Sequence, residues 1–142
     1  LDSQIRDSVR GRSWVPDFWE GDCLEFYFDR SPLADIERRE YRKDTFRLFL
    51  SAGAEGKPAR LDVLGDVNPS NIRWTVTDTP SGWNAHLELP WSELRLPPGA
   101  PVSFDISADD NTGAARRLQK TWSGTLFNHR YRHNFGFWIP EK

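Results

Sequence analysis

The sequence predicts an all-β fold, an antiparallel β-sandwich built from two packed sheets. Three observations predict it. Apolar residues recur with period two in short separate segments, turn-forming residues stand between those segments, and helical periodicity is scarce. Strands that each carry one apolar face must bury it against another layer, which implies two sheets face to face.

The first segment, 22–29, sets Leu24, Phe26 and Phe28 on one face and Cys23, Glu25, Tyr27 and Asp29 on the other. Segment 45–50 repeats the pattern with Phe46, Leu48 and Leu50 against Thr45, Arg47 and Phe49. Segment 72–77 aligns Ile72, Trp74 and Val76, and 83–89 aligns Trp83, Ala85, Leu87 and Leu89. Segment 102–108 aligns Val102, Phe104, Ile106 and Ala108, and 135–139 aligns Phe135, Phe137 and Ile139. Turns are expected at Ser31-Pro32, Gly53 to Pro58, Asn68-Pro69, Thr79 to Gly82, Pro97 to Gly99 and Asn111 to Gly113. Pro90 to Leu94 suits one helical turn, and 33–43 a loop or short helix. Without internal repeats or low-complexity segments, residues 1–142 read as one domain.

Composition narrows the function. Of the 142 residues 37% are hydrophobic and 13% aromatic, with seven Trp. Large flat rings serve a core and a binding platform equally well. A net charge of −2, from 19 basic and 21 acidic residues, gives no electrostatic reason to expect nucleic acid or an anionic membrane as partner. No apolar run is long enough for a membrane-spanning helix. Cys23 is the one cysteine, so no internal disulfide is expected. The absence of Met and the start at Leu1 read as a processed chain or an excised fragment.

Four segments, in order, resemble the family-nine carbohydrate-binding modules and the wider DOMON-like sandwiches. They are Trp19-Glu20-Gly21-Asp22-Cys23-Leu24-Glu25-Phe26-Tyr27-Phe28-Asp29; Leu87-Glu88-Leu89-Pro90-Trp91-Ser92-Glu93-Leu94; Gly99 to Asp110, with Asp109-Asp110-Asn111 as a turn; and Trp122-Ser123-Gly124 onward to Phe135-Gly136. Together they span most of 19–139. The resemblance implies a jelly-roll- or immunoglobulin-like sandwich from a bacterial protein, secreted or periplasmic. It would bind an oligo- or polysaccharide without cleaving it, as a monomeric module of a larger protein. Against the family pattern, this chain is expected to lack N-terminal strands.

The resemblance also implies a site. Trp19, just before the first strand, and Trp122, in the polar stretch Lys120 to Gly124, correspond to two Trp rings that grip a terminal sugar. Sugar C–H faces pack on aromatic rings while polar neighbours bind the hydroxyls. Glu25 would accept from those hydroxyls and Arg47 would donate to them. Gln119 could do both, and Tyr27, sharing Glu25's face, would line the site. Each has a plainer reading: Trp19 as a core cap, Glu25 as a solvated strand carboxylate. Trp74, Trp83 and Trp138 suit core or sheet-face positions, and Trp91 a packing anchor.

No cofactor is expected. Family-nine modules can carry structural Ca²⁺, and the clustered oxygen donors Asp105, Asp109, Asp110 and Asn111 leave such an ion open here, although no EF-hand spacing is present and turn chemistry accounts for them without a metal. His129 and His133 would stand about 13 Å apart on a strand, beyond one metal ion's reach.

Three alternatives stand beside this reading, and the residues present exclude one of them. A glycoside hydrolase needs carboxylates about 5–9.5 Å apart. Glu25 and Asp29 would be about 13 Å apart along a strand, whereas Glu25 with Glu88 is open. Haem held through Met and His is excluded by the absence of Met. A purely structural or protein-interaction sandwich would turn its exposed Trp residues toward a partner protein.

Overall fold

The computed structural model describes residues 21–31, 39–53, 56–111, 116–123, 128, 130, 132 and 135–139. Among them eight strands form: β1 Cys23–Asp29, β2 Thr45–Ser51, β3 Arg60–Leu64, β4 Arg73–Thr79, β5 Gly82–Glu88, β6 Val102–Asn111, β7 Arg116–Thr121 and β8 Gly136–Trp138. A one-turn helix, α1 Trp91–Leu94, lies between β5 and β6, and a 3₁₀ turn, Pro69–Asn71, lies between β3 and β4. Strand pairing is antiparallel throughout, in two sheets. The all-β sandwich expected from the sequence is what the chain forms.

The large sheet has six strands in the order β3-β2-β1-β6-β7, with β8 also paired to β6. The run β6-β1-β2-β3 is a Greek key, in which a fourth strand returns by a long connection to lie beside the first. That connection carries the β4–β5 hairpin, which forms the second sheet. Strands β7 and β8 follow one another along the same edge of β6, β7 against Ser107–Asn111 and β8 against Val102–Phe104.

Register explains the core. Leu24 stands between Leu50 and Ala108, Phe26 between Leu48 and Ile106, and Phe28 between Phe46 and Phe104. Because side chains alternate, these rungs turn one apolar face toward the hairpin and α1. Phe28, Phe46, Leu48, Val102 and Phe104 are buried there with Val67, Ile72 and Leu94, and Leu87, Leu89 and Trp91 pack against them. Gly65, at φ +114°, follows β3 where an added Cβ would lie 2.7 Å from that of Phe46, so only glycine fits.

The helical corner is pinned by polar groups. Arg30 Nε and Nη2 donate to the Glu93 carbonyl at 2.9 and 2.6 Å, and Nη2 also to the Asp66 carbonyl at 2.7 Å. The Glu93 carboxylate accepts from Asn71 Nδ2 at 2.5 Å and Asn68 N at 3.1 Å. The Asn71 hydrogen bond is the main reason the Glu93 pKa lies below the usual carboxylate range. Arg95 closes α1 in the left-handed region at φ 55°.

Three expectations change. β3 and β7 were not apparent in the sequence; β7 (RRLQKT) has almost no apolar alternation and is held by its backbone ladder to β6. Asp109, Asp110 and Asn111 are not a turn but the end of β6, paired with Gln119, Leu118 and Arg116. The polar face of β1 is not solvated: Glu25 is 2% exposed, Tyr27 and Asp29 0%.

Candidate functional site

Cross-strand register divides the expected site residues. On the polar face, Tyr27 stands between Arg47 and Asp105, Glu25 between Phe49 and Ser107, and Asp109 between Cys23 and Gln119. Glu25, Tyr27, Arg47 and Gln119 therefore share one side of the large sheet. Tyr27 Oη donates to Glu25 Oε2, and the Phe135 ring packs on Tyr27 with centroids 5.5 Å apart. Burial, followed by the Glu25 charge, raises the Tyr27 pKa far above that of an ordinary phenol. Arg47 is half-buried, its guanidinium 5.0 Å from the Tyr41 ring centroid and 5.8 Å from that of Phe49.

What covers this face arrives late in the chain. Arg132, 2% exposed, pairs through Nε with Asp29 Oδ2. Asp105, fully buried, accepts from Ser123 N at 3.0 Å and from Ser123 Oγ and Asn128 Nδ2. Tyr41 Oη donates to the Asn128 carbonyl. These carboxylates organise the sheet and hold Ser123, Asn128 and Arg132 against it.

Trp122 is on the other side. Its backbone N–H donates to the Ile106 carbonyl at 2.9 Å, one position beyond the Thr121–Ser107 pair, so strand alternation turns its side chain away from Gln119. Its ring lies against Phe104, with centroids 5.8 Å apart. It also lies over Gly136, where an added Cβ would come within 2.5 Å of Cζ3. At 44% exposure it still offers much of its surface to solvent. Trp19 lies outside the described residues, as do His129 and His133.

Trp138, two residues past Gly136 on β8, is 47% exposed and stacks on Trp91 with centroids 6.2 Å apart and planes 11° apart. Trp91 thus packs as anticipated, and Trp138 occupies a sheet face at the edge. Trp74 and Trp83 are half-buried on the hairpin. Neither Gly136 nor Trp138 stood out as a site residue in the sequence. A glycine between aromatics inside a strand, as in Phe135-Gly136-Phe137, was the available signal, since it marks close approach of another group.

Two further expectations can be placed. Asp109 and Asp110 are neighbours in β6 and point to opposite faces, whereas Asp105 and Asp109 share the polar face; no cluster of three or more metal-ligating side chains forms among the described residues. Glu25 and Glu88 belong to different sheets; Glu88 is exposed and meets Arg73 at 3.6 Å and His86 at 3.2 Å.

No protein-family model and no curated protein matches the sequence. The fold is similar to a solved structure, a family-nine carbohydrate-binding module from Caldicellulosiruptor kristjanssonii in complex with glucose. The TM-score is 0.64 at 14% identity, with 89% of this chain covered. This chain spans 63% of the length of that one. The class defined by the fold is therefore a β-sandwich of the kind found in carbohydrate-binding modules. The likeness in fold agrees with the resemblance in the four sequence segments.

Proposed function

We propose that this chain is a non-catalytic carbohydrate-binding module of an exported protein, related to the family-nine modules within the DOMON-like sandwiches. The carrying observation is Trp122: a large ring seated over a glycine on a sheet edge, with nearly half its surface open, in a fold shared with a module solved with glucose. An aromatic face held this way suits the C–H face of a pyranose. Trp19 is proposed as the ring opposing it.

The remaining candidates take different parts in this reading. Glu25 and Tyr27 satisfy one another in the buried polar face and hold the sheet, rather than touching sugar. Arg47 and Gln119 are half-buried on that same reverse side and support it. The hydrolase alternative is disfavoured because Glu25 is sealed from solvent.

A titration followed by Trp fluorescence tests the reading, with glucose, cellobiose and xylobiose at millimolar concentration. A spectral change that saturates is expected, and Trp122→Ala should weaken binding by on the order of 1 kcal/mol. Silence with all three sugars would remove sugar binding and favour a protein-interaction sandwich. Hydrolysis of cello- or xylo-oligosaccharides that Glu25→Gln abolishes would make the chain an enzyme.

A further inference from the structure

We infer that the sugar site extends along β8 to a second aromatic position, Trp138 backed by Trp91, and that the ligand is an uncharged linear oligosaccharide spanning both rings. This rests on the proposed role of Trp122. The placement follows from backbone geometry. The side of Gly136 where a Cβ would project is filled by the Trp122 ring. Trp138 is two residues further on the same strand, so its side chain leaves β8 on that same side.

Register agrees, since Phe104, opposite Gly136, touches the Trp122 ring, and Val102, opposite Trp138, is buried in the core beneath. Gly136, which the Trp122 ring covers, and Trp138 are one strand repeat of about 7 Å apart in backbone, so the two exposed indoles lie over the same side of β8.

The chemistry of the strip selects the ligand. Residues 135–139 carry no charge, and Trp122 is flanked by Thr121 and Ser123. A charged chain would find no counter-ion along β8, whereas a neutral glycan needs flat apolar faces and a few hydroxyl partners. Trp91 holds Trp138 from behind with nearly parallel planes, which fixes the ring before any ligand arrives. Pre-ordering of this kind lowers the entropic cost of binding. Gly136 belongs to the same device: any side chain there would lift Trp122 off the strand and break the line of rings.

The experiment is a calorimetric ladder on the whole chain with glucose, cellobiose, cellotriose and cellotetraose. Affinity should rise with chain length. Trp138→Ala should leave glucose binding unchanged, which also shows that the variant is folded, and weaken cellotetraose about threefold to tenfold. Trp138→Tyr, which keeps an aromatic face over Trp91, should retain part of the rise. Trp122→Ala should weaken every member of the series. A rise equally steep in Trp138→Ala, or a flat series in the unaltered chain that still binds glucose, overturns the second position and leaves the proposed function standing. Concentration-dependent dimerisation by sedimentation that Trp138→Ala abolishes would assign the strip to a second copy of the chain instead. No binding to any member removes the proposed function, and this inference with it.

Discussion

The two faces of the large sheet are buried by opposite means. On one, Phe28 lies between Phe46 and Phe104, with ring centroids 4.7 and 5.1 Å away, and Leu48 is fully buried beside them. On the other, Asp29, Asp105 and Tyr27 are equally inaccessible. The apolar face gains free energy from area and tolerates exchange among groups of similar volume. The polar face gains only if every buried group keeps its partner, because a buried carboxylate that loses its cation or donor retains the full desolvation cost. One face is therefore graded in its response to change, and the other close to all-or-nothing.

Substitutions can break or sharpen that contrast. The largest effect is expected from Arg132→Ala, which takes from buried Asp29 its guanidinium partner and should cost about 3–5 kcal/mol in urea unfolding. A loss under 1 kcal/mol would mean that water replaces the guanidinium and that the polar face is not sealed. Leu48→Ala on the apolar face should cost about 2–5 kcal/mol, scaled by how far the neighbouring Phe rings close the cavity. Its companion Leu48→Met should cost less than about 1.5 kcal/mol, showing the tolerance the polar face lacks.

The third prediction is a pH dependence. Burial and the neighbouring Glu25 raise the Tyr27 pKa in the folded state, whereas the unfolded chain releases that proton near pH 10. Above that pH the folded state holds more protons than the unfolded state, so stability falls as pH rises. Unfolding free energy should decline above about pH 10, with a shallower slope in Tyr27→Phe. Burial raises the Tyr41 phenol and the Cys23 thiol as well, which keeps some slope in that variant. An identical slope would show Tyr27 to be hydrated. The smallest effect belongs to Arg95→Ala. It removes an exposed ion pair to Asp66, 2.6 Å long, and with it the hydrogen bond that lowers the Asp66 pKa. Exposed pairs of this kind contribute little, so the unfolding midpoint should barely move.

Much of the fold was legible in the chain. Phe26, Phe46 and Ile106 each sit in runs where apolar and polar residues alternate, and period two over half a dozen residues has one ready explanation. β7 was not legible, because Arg116-Arg117-Leu118-Gln119-Lys120-Thr121 is stabilised by backbone ladder bonds that any sequence can make. The site was legible only in part. Trp122 drew attention through its polar neighbours, whereas the place of Trp138 depends on a glycine two residues earlier and on a stacking partner from a distant corner.

Local pattern by itself determined the sandwich, the inward faces of its strands and the helical turn at Pro90, because these depend on alternation and backbone preference within a few residues. The tertiary structure alone decided that Glu25 and Trp122 stand on opposite sides of the sheet, and that the polar side is covered. Both depend on which strands pair, in what register, and on where Asn128 and Arg132 return after β7. Side-chain direction inverts with each residue of register. A face assignment across strands is therefore fixed only once the pairing itself is fixed.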